Sequence, residues 1–151
     1  MMRGRTLPVI AVACSGALAC RDALGRDGSN RWLRVVHDSG YDVALDTTRI
    51  TPRYGQEYVV WYRTDHAVTH AYEGKPFNRE VVQAILHCRD LSYRIARVDM
   101  SLRGGRFVAR QRADDGELGR QPWRHVDPGT IEAAAARATC DAARRYAANR
   151  R

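Results

Sequence analysis

This 151-residue sequence contains almost no lysine. It also lacks long apolar runs and the common catalytic motifs. Lysine and arginine together number 25, and Lys75 is the only lysine. No stretch reaches the roughly 20 apolar residues that a membrane-spanning helix needs, so the mature chain is expected not to be an integral membrane protein. The patterns Gly-x-Ser-x-Gly and His-Glu-x-x-His, the phosphate-binding loop and the dinucleotide fingerprint are also missing, which argues against an enzyme.

The first nineteen residues have the pattern of a bacterial export signal. Residues 1–5 contain two arginines, residues 7–13 form a short apolar core, and residues 17–19 are Ala-Leu-Ala, a small-residue cleavage site. Two processing routes fit these residues: ordinary cleavage after Ala19, or a degenerate lipobox that ends in a lipidated Cys20. Lipidation is favoured because it leaves an even number of cysteines in an oxidising compartment. The protein is then an outer-membrane lipoprotein, or else periplasmic or at the cell surface.

The rest of the chain is predicted to form a tether and one domain. Residues 20–30 are rich in Gly, Asp, Arg and Ser, a composition typical of a solvated linker. Residues 31–151 have the length of one compact domain. A lipid on Cys20 would be the only attachment of this domain to the membrane.

The basic charge has two interpretations. Removal of residues 1–19 takes away two arginines and lowers the formal net charge from +8 to +6. A genome that favours arginine codons would place these side chains at the surface with no special role. Alternatively, they bind an anionic partner, because the guanidinium group pairs with phosphate, sulfate or carboxylate in a bidentate manner. Nucleic acid is not expected as a partner of an exported protein.

Alternating and β-rich segments predict an antiparallel sheet of about six strands. The strands are expected at residues 32–36, 41–46, 57–63, 81–88, 92–102 and 106–111. Gly104-Gly105 suits the tight turn of a hairpin, whereas Gly74, Pro76 and Asn78 indicate a loop between the third and fourth strands. Residues 113–116 are expected to be a polar loop, and Trp123 to begin a short element.

A C-terminal helix is predicted over residues 131–148, which are rich in alanine and contain neither glycine nor proline. Its N-cap is Asp127, followed by proline at the first helical position, or alternatively Thr130. Arg137, Arg144 and Arg145 share one arc of this helix and are candidates for contact with an anionic partner.

Cys140 lies on a small-residue arc of the same helix, which allows close approach to a sheet. A disulfide to Cys88 in the fourth strand is therefore expected, and the alternative is two buried reduced thiols. The fold class is α+β, with the helix packed on the sheet and tied to it by this bridge.

Other candidate sites are weaker. His66 and His70 stand four residues apart, but no third metal ligand is placed by spacing, so a polar loop is the preferred interpretation and no metal or cofactor is predicted. Tyr54, Tyr58, Trp61 and Tyr62, near Arg53 and Arg63, could form a stacking or glycan-binding face. Because neighbours on a strand point to opposite sides, at least half of these rings are expected to pack inside.

Several short patterns, in this order and spacing, resemble the surface-adhesin protein E family of Gram-negative bacteria. They are Trp32, Val43-Ala44-Leu45-Asp46, Arg49-Ile50, Leu86-His87-Cys88-Arg89, Tyr93-Arg94-Ile95, Gly104-Gly105, Trp123-Arg124-His125-Val126-Asp127-Pro128-Gly129-Thr130 and Cys140.

The resemblance implies an exported, non-enzymatic protein, often lipid-anchored, with a sheet and a disulfide-tied helix. It implies host extracellular-matrix or serum proteins as partners. The alternative from the residues alone is a structural or stress-related envelope protein that binds an anionic lipid or glycan through arginine.

Overall fold

The computed structural model describes residues 31–148. The predicted signal, the tether and Cys20 lie outside this range. The elements, in chain order, are β1 (Trp32–His37), β2 (Tyr41–Asp46), β3 (Thr51–Pro52), β4 (Glu57–Tyr72), β5 (Lys75–His87), β6 (Ser92–Ser101), β7 (Phe107–Arg112), α1 (Asp115–Arg120), β8 (Arg124–His125) and α2 (Ile131–Ala148). None of the helices described here is long and apolar enough to cross a membrane.

The strands form one antiparallel sheet in the order β1-β2-β4-β5-β6-β7, while the short β3 pairs with β4 and β8 pairs with β6. The predicted α+β class and its antiparallel sheet are thus confirmed. The turn between β6 and β7 is also as predicted: Gly105 adopts φ 89°, a left-handed conformation that glycine takes without steric cost.

The prediction of a loop between the third and fourth strands is wrong, because β4 extends to Tyr72 and β5 already begins at Lys75. The turn is only the pair Glu73-Gly74, both with positive φ, as a tight two-residue hairpin requires. β4 pairs with β2 only as far as His66, so the rest of this hairpin has two strands alone. Pro76 opposes Ala71 there and needs no second strand for its missing N–H.

Two helix starts also differ from the prediction. The predicted polar loop at residues 113–116 is correct only for its first two residues, because α1 begins at Asp115: the Asp114 carboxylate accepts a hydrogen bond of 2.6 Å from the Glu117 N–H and caps this helix. For α2 the alternative cap is the correct one: the Thr130 hydroxyl accepts from the Ala133 N–H at 3.2 Å. Asp127 is excluded as the N-cap of α2 because Gly129, two residues later, has φ 85° and ends the turn that precedes the helix.

Helix α2 covers one face of the sheet with a surface of small side chains. Ala136, Cys140, Ala142 and Ala143 are buried together with Leu45, Ile50, Val60, Ala84, Leu86 and Cys88 from the sheet side. The bridge between Cys88 and Cys140, 5.6 Å apart at Cα, confirms the predicted disulfide. It closes a loop with a sequence separation of 52 residues, which is worth about 4 kcal/mol in the chain-entropy model.

Candidate functional site: an arginine–tryptophan face

The sheet face opposite α2 carries polar and aromatic side chains in place of a second core. Alternation along the strands separates the two faces: Val60 and Tyr62 point to the helix side, and Trp61 and Arg63 to the other. We name this second surface the arginine–tryptophan face. It consists of Trp32, Trp61, Trp123, Arg31, Arg49, Arg63, Arg94, Arg97, Arg110 and Arg112, with Asp46 and Asp99 between them.

Each tryptophan of the chain has at least one guanidinium group over its ring. Arg49 lies 4.1 Å and Arg97 5.5 Å from the centre of the Trp61 ring. In the two flanking stacks, Arg63 lies 4.8 Å and Arg31 5.3 Å from the centre of Trp32, and Arg94 lies 4.3 Å from that of Trp123. These distances are in the range of cation–π attraction. The rings therefore help to hold the arginine side chains in place on this face.

The buried carboxylate of Asp46 orients two of these arginines, Arg31 and Arg49. Its side chain is fully buried, and Oδ2 accepts hydrogen bonds from Arg31 Nε at 2.9 Å and Arg49 Nε at 2.7 Å. Oδ1 accepts from the backbone and hydroxyl of Thr48. Burial raises the pKa of Asp46, but these hydrogen bonds outweigh it and hold the pKa well below 3.8. The carboxylate therefore stays charged and orients its arginines at any physiological pH.

Strands β6 and β7 place two arginines directly opposite each other. Arg97 pairs in register with Arg112, and Asp99 with Arg110. Asp99 accepts hydrogen bonds from Arg97 and Arg110, which outweigh its burial and lower its pKa. Within residues 31–148, Arg112 has no ion pair, and it is exposed. Like charges opposite each other destabilise a sheet; Asp99 offsets the charge of Arg97, and the charge of Arg112 stays without a carboxylate partner among the described residues.

A β-bulge brings a further arginine to the same face. Residues 94 and 97 are three apart, an odd spacing that would send them to opposite sides of a regular strand. The register shifts between Gln83 and Ala84, where β6 carries an extra residue. Arg94 therefore joins Arg97, and its Nε is buried with no hydrogen-bond partner in the described chain. Bulges often re-aim side chains at functional sites.

The predicted arginines of α2 lie on the other side of the molecule. Arg137, Arg144 and Arg145 are all exposed, as their arc predicts. Only Arg144 approaches a carboxylate, that of Asp141 at 3.5 Å. This arc is thus a separate basic surface, without the aromatic rings and buried carboxylates that hold the arginines of the sheet face.

The predicted aromatic cluster is divided by the sheet. Tyr58 and Tyr62 pack against the helix side of the core, and burial raises the pKa of Tyr62 to about 12. Trp61 lies on the opposite face, whereas Tyr54 is exposed beside β3. Half of the set is therefore internal, as expected, and no single stacking face unites the four rings.

The histidines were expected in a loop, which is wrong: His66 and His70 lie on β4, His66 within the register shift that follows Asp65 and His70 at its end. Their ring centres are 4.5 Å apart, and His66 Nε2 is 2.9 Å from Glu80 Oε2. No group of three or more possible metal ligands exists among residues 31–148. His87 and Ser92 both contact Asp90, but Ser92 Oγ donates to Asp90 and not to the imidazole, so this trio lacks the geometry of an activated nucleophile.

Most residues of the arginine–tryptophan face were not predicted from the sequence as members of a binding site. Arg97 and Arg112 were counted only as part of the total charge, and Arg49 and Arg94 appeared only in patterns that resemble the family. The pattern Arg-x-x-Arg at residues 94–97 does not follow the alternation of a strand. The two arginines reach the same face only because of the bulge in β6. A signal was present in β7, where Arg110 and Arg112 alternate with Ala109 and Gln111.

Fold and site together define a disulfide-tied sheet-and-helix protein that presents a broad basic surface. A family model described as surface-adhesin protein E matches residues 32–141. The chain belongs to this family, as its sequence patterns predicted, and membership indicates a surface adhesin. No curated protein matches the chain.

Proposed function

We propose that this protein is an exported, non-enzymatic binding protein of the cell envelope, and that its arginine–tryptophan face binds an anionic partner. The observation that carries the proposal is the opposition of Arg97 and Arg112 beside Arg94. Asp99 pairs with Arg97, so the proposed ligand supplies the negative charge that the opposing Arg112 lacks. Membership of an adhesin family supports a binding role, with host extracellular-matrix or serum proteins as the first class of partner.

The alternative is a periplasmic or outer-membrane structural protein that binds an anionic envelope lipid or glycan. The same arginines would serve it, because the ligand groups are again phosphate, sulfate or carboxylate. The arc of Arg137, Arg144 and Arg145 is the competing surface for either partner. An experiment must therefore compare the two surfaces as well as the two partners.

The test uses two double variants with the same change of charge. Arg97→Gln/Arg112→Gln alters the sheet face, and Arg144→Gln/Arg145→Gln alters the helix arc. Binding to immobilised extracellular matrix and to lipopolysaccharide is measured by surface plasmon resonance at low and high salt. We expect the sheet variant to lose most of the binding and the helix variant to keep it. The opposite ranking would assign binding to α2, and equal binding by all three proteins would refute an arginine-mediated function.

Export and anchoring belong to the same proposal and have their own test. Residues 1–19 are proposed as the signal, 20–30 as the tether, and Cys20 as the lipidated residue. Cys20→Ser is expected to move the protein from the membrane to the soluble fraction of fractionated cells. Mass spectrometry that finds an unmodified Cys20 at the mature N-terminus would refute lipidation and leave export intact.

A further inference from the structure

We infer that the ligand of the arginine–tryptophan face is a linear polyanionic polysaccharide that lies across the strands, with sulfate or carboxylate groups on the arginines. This inference rests on the proposed function, because it names the chemistry of the anionic partner. Its first basis is the extent of the surface. Trp32 lies on β1 and Arg112 on β7, at the two ends of the strand order. With about 4.8 Å between neighbouring strands, five gaps span about 24 Å.

A surface of this length suits an extended chain better than a small anion. The cationic groups follow one another across the strands of the sheet, from Arg63 on β4 to Arg112 on β7. The recess beside Arg112, about 280 Å³ in volume, is open and is also lined by Asp114 and Asp115. Two carboxylates make it unsuitable for a single bound anion. A polymer with repeated negative charges can instead engage several arginines at once.

The side-chain chemistry also favours a saccharide. Guanidinium groups that lie over indole rings can bind sulfate or carboxylate through two parallel N–H groups. Trp32, Trp61 and Trp123 are each half-buried and hold arginines over their rings, so cations recur at intervals across the strands. Such a row of cations matches a chain whose sulfate or carboxylate groups recur along its length.

A membrane surface fits this face less well. Of the large exposed hydrophobic residues Tyr54, Val68 and Phe107, one lies on this face: Phe107, whose ring centre is 5.6 Å from the Arg110 guanidinium group. One exposed ring is a small apolar contribution for a membrane surface. With their faces under arginine, the indoles cannot enter the bilayer interface as free aromatic rings do. Asp46 and Asp99 interrupt the positive surface, so it is a mosaic and not the uniform cationic plane that an anionic bilayer favours.

The test measures binding of heparin fragments to the full-length mature protein, with polygalacturonate as a carboxylate polymer and neutral dextran as a control. Long fragments are expected to bind more tightly than disaccharides, because only they reach from β1 to β7. If about four arginines are engaged, the logarithm of affinity falls with the logarithm of salt with a slope of about −3, or about 60-fold between 50 and 200 mM. Binding of heparin alone indicates a sulfate ligand, and binding of both polymers indicates that carboxylate suffices; either outcome supports the inference.

Arg97→Gln/Arg112→Gln should weaken heparin binding at least tenfold and reduce the salt slope by about 1 to 2. Arg144→Gln/Arg145→Gln, with the same net charge, should leave both nearly unchanged. Equal affinity for short and long fragments with a slope near −1 would overturn the inference, as would tighter binding to phosphatidylglycerol vesicles. If the sheet variant loses matrix binding but no polysaccharide binds, the ligand class is wrong and the proposed function stands.

Discussion

Replacement of Asp46 by asparagine tests whether one buried carboxylate organises the arginine–tryptophan face. The change removes the charge and keeps the shape of the side chain. Arg31 and Arg49 then lose charged hydrogen bonds, each worth about 1.5–3 kcal/mol. Both arginines are about 40 % exposed, 44 % and 39 %, so they regain water and the loss is partial. We expect Asp46→Asn to lower the free energy of unfolding by about 2–3 kcal/mol, or the melting temperature by about 10 °C.

The contribution of Asp46 to stability also depends on pH in a direction that can be predicted. The pKa of Asp46 is lower in the folded protein than in the unfolded chain, so its contribution to stability is present above about pH 4. It is lost as the pH falls through the folded-state pKa. Urea unfolding between pH 7 and pH 2 should therefore show an acid-dependent loss in the parent that is reduced in Asp46→Asn.

Asp42→Asn on the same strand is the matched control. Asp42 pairs with Arg34 at 3.6 Å and is partly exposed, and such surface pairs contribute below about 1 kcal/mol. Tryptophan fluorescence is expected to change in Asp46→Asn, because Arg49 is released from Trp61, and to stay unchanged in Asp42→Asn. Equal stability losses in the two variants, or an unchanged acid profile in Asp46→Asn, would refute the argument.

Three further outcomes follow from the fold. Cys140→Ser should lower the melting temperature by about 10 °C, from a loss of roughly 2–4 kcal/mol, and two alkylatable thiols in parent protein from the envelope would contradict the bridge. Thr130→Ala should cost about 1 kcal/mol in urea unfolding by removing the cap of α2, whereas Asp127→Ala should cost less; the reverse order would restore Asp127 as the cap. In an ultraviolet titration of the tyrosines, the last ionisation step should be missing in Tyr62→Phe, because burial raises the pKa of Tyr62 to about 12 in the folded protein. The contribution of Tyr62 to stability is lost progressively as the pH rises above 10. An unchanged last step in Tyr62→Phe would contradict this.

The sequence contained enough to predict the sheet, the terminal helix and the disulfide. Alternation in β2 and the glycine turn before β7 are local signals, and the alanine surface of α2 indicates close packing near Cys140. The hairpin of β4 and β5 was shortened in the prediction because its outer part is polar and contains Pro76. That part has only two strands, so it needs neither continuous apolar residues nor every backbone N–H.

The arginine–tryptophan face was harder to predict because it depends on register. Arg97 meets Arg112 only through the pairing of β6 with β7, and Arg94 joins them only through a bulge. Neither fact follows from local periodicity. In contrast, the arginines of α2 were predicted readily because a single helix brings them together, although among residues 31–148 no aromatic ring lies against their side chains as Trp61 lies against Arg49.

The most direct test of the central claim is a nuclear magnetic resonance titration of the isotope-labelled protein with heparin fragments. The three tryptophans give three indole N–H signals that report on Trp32, Trp61 and Trp123 separately. Binding at the sheet face predicts that these signals shift together with the backbone signals of β6 and β7, while those of α2 stay in place. Shifts confined to Arg137, Arg144 and Arg145, with the indole signals unchanged, would contradict the account.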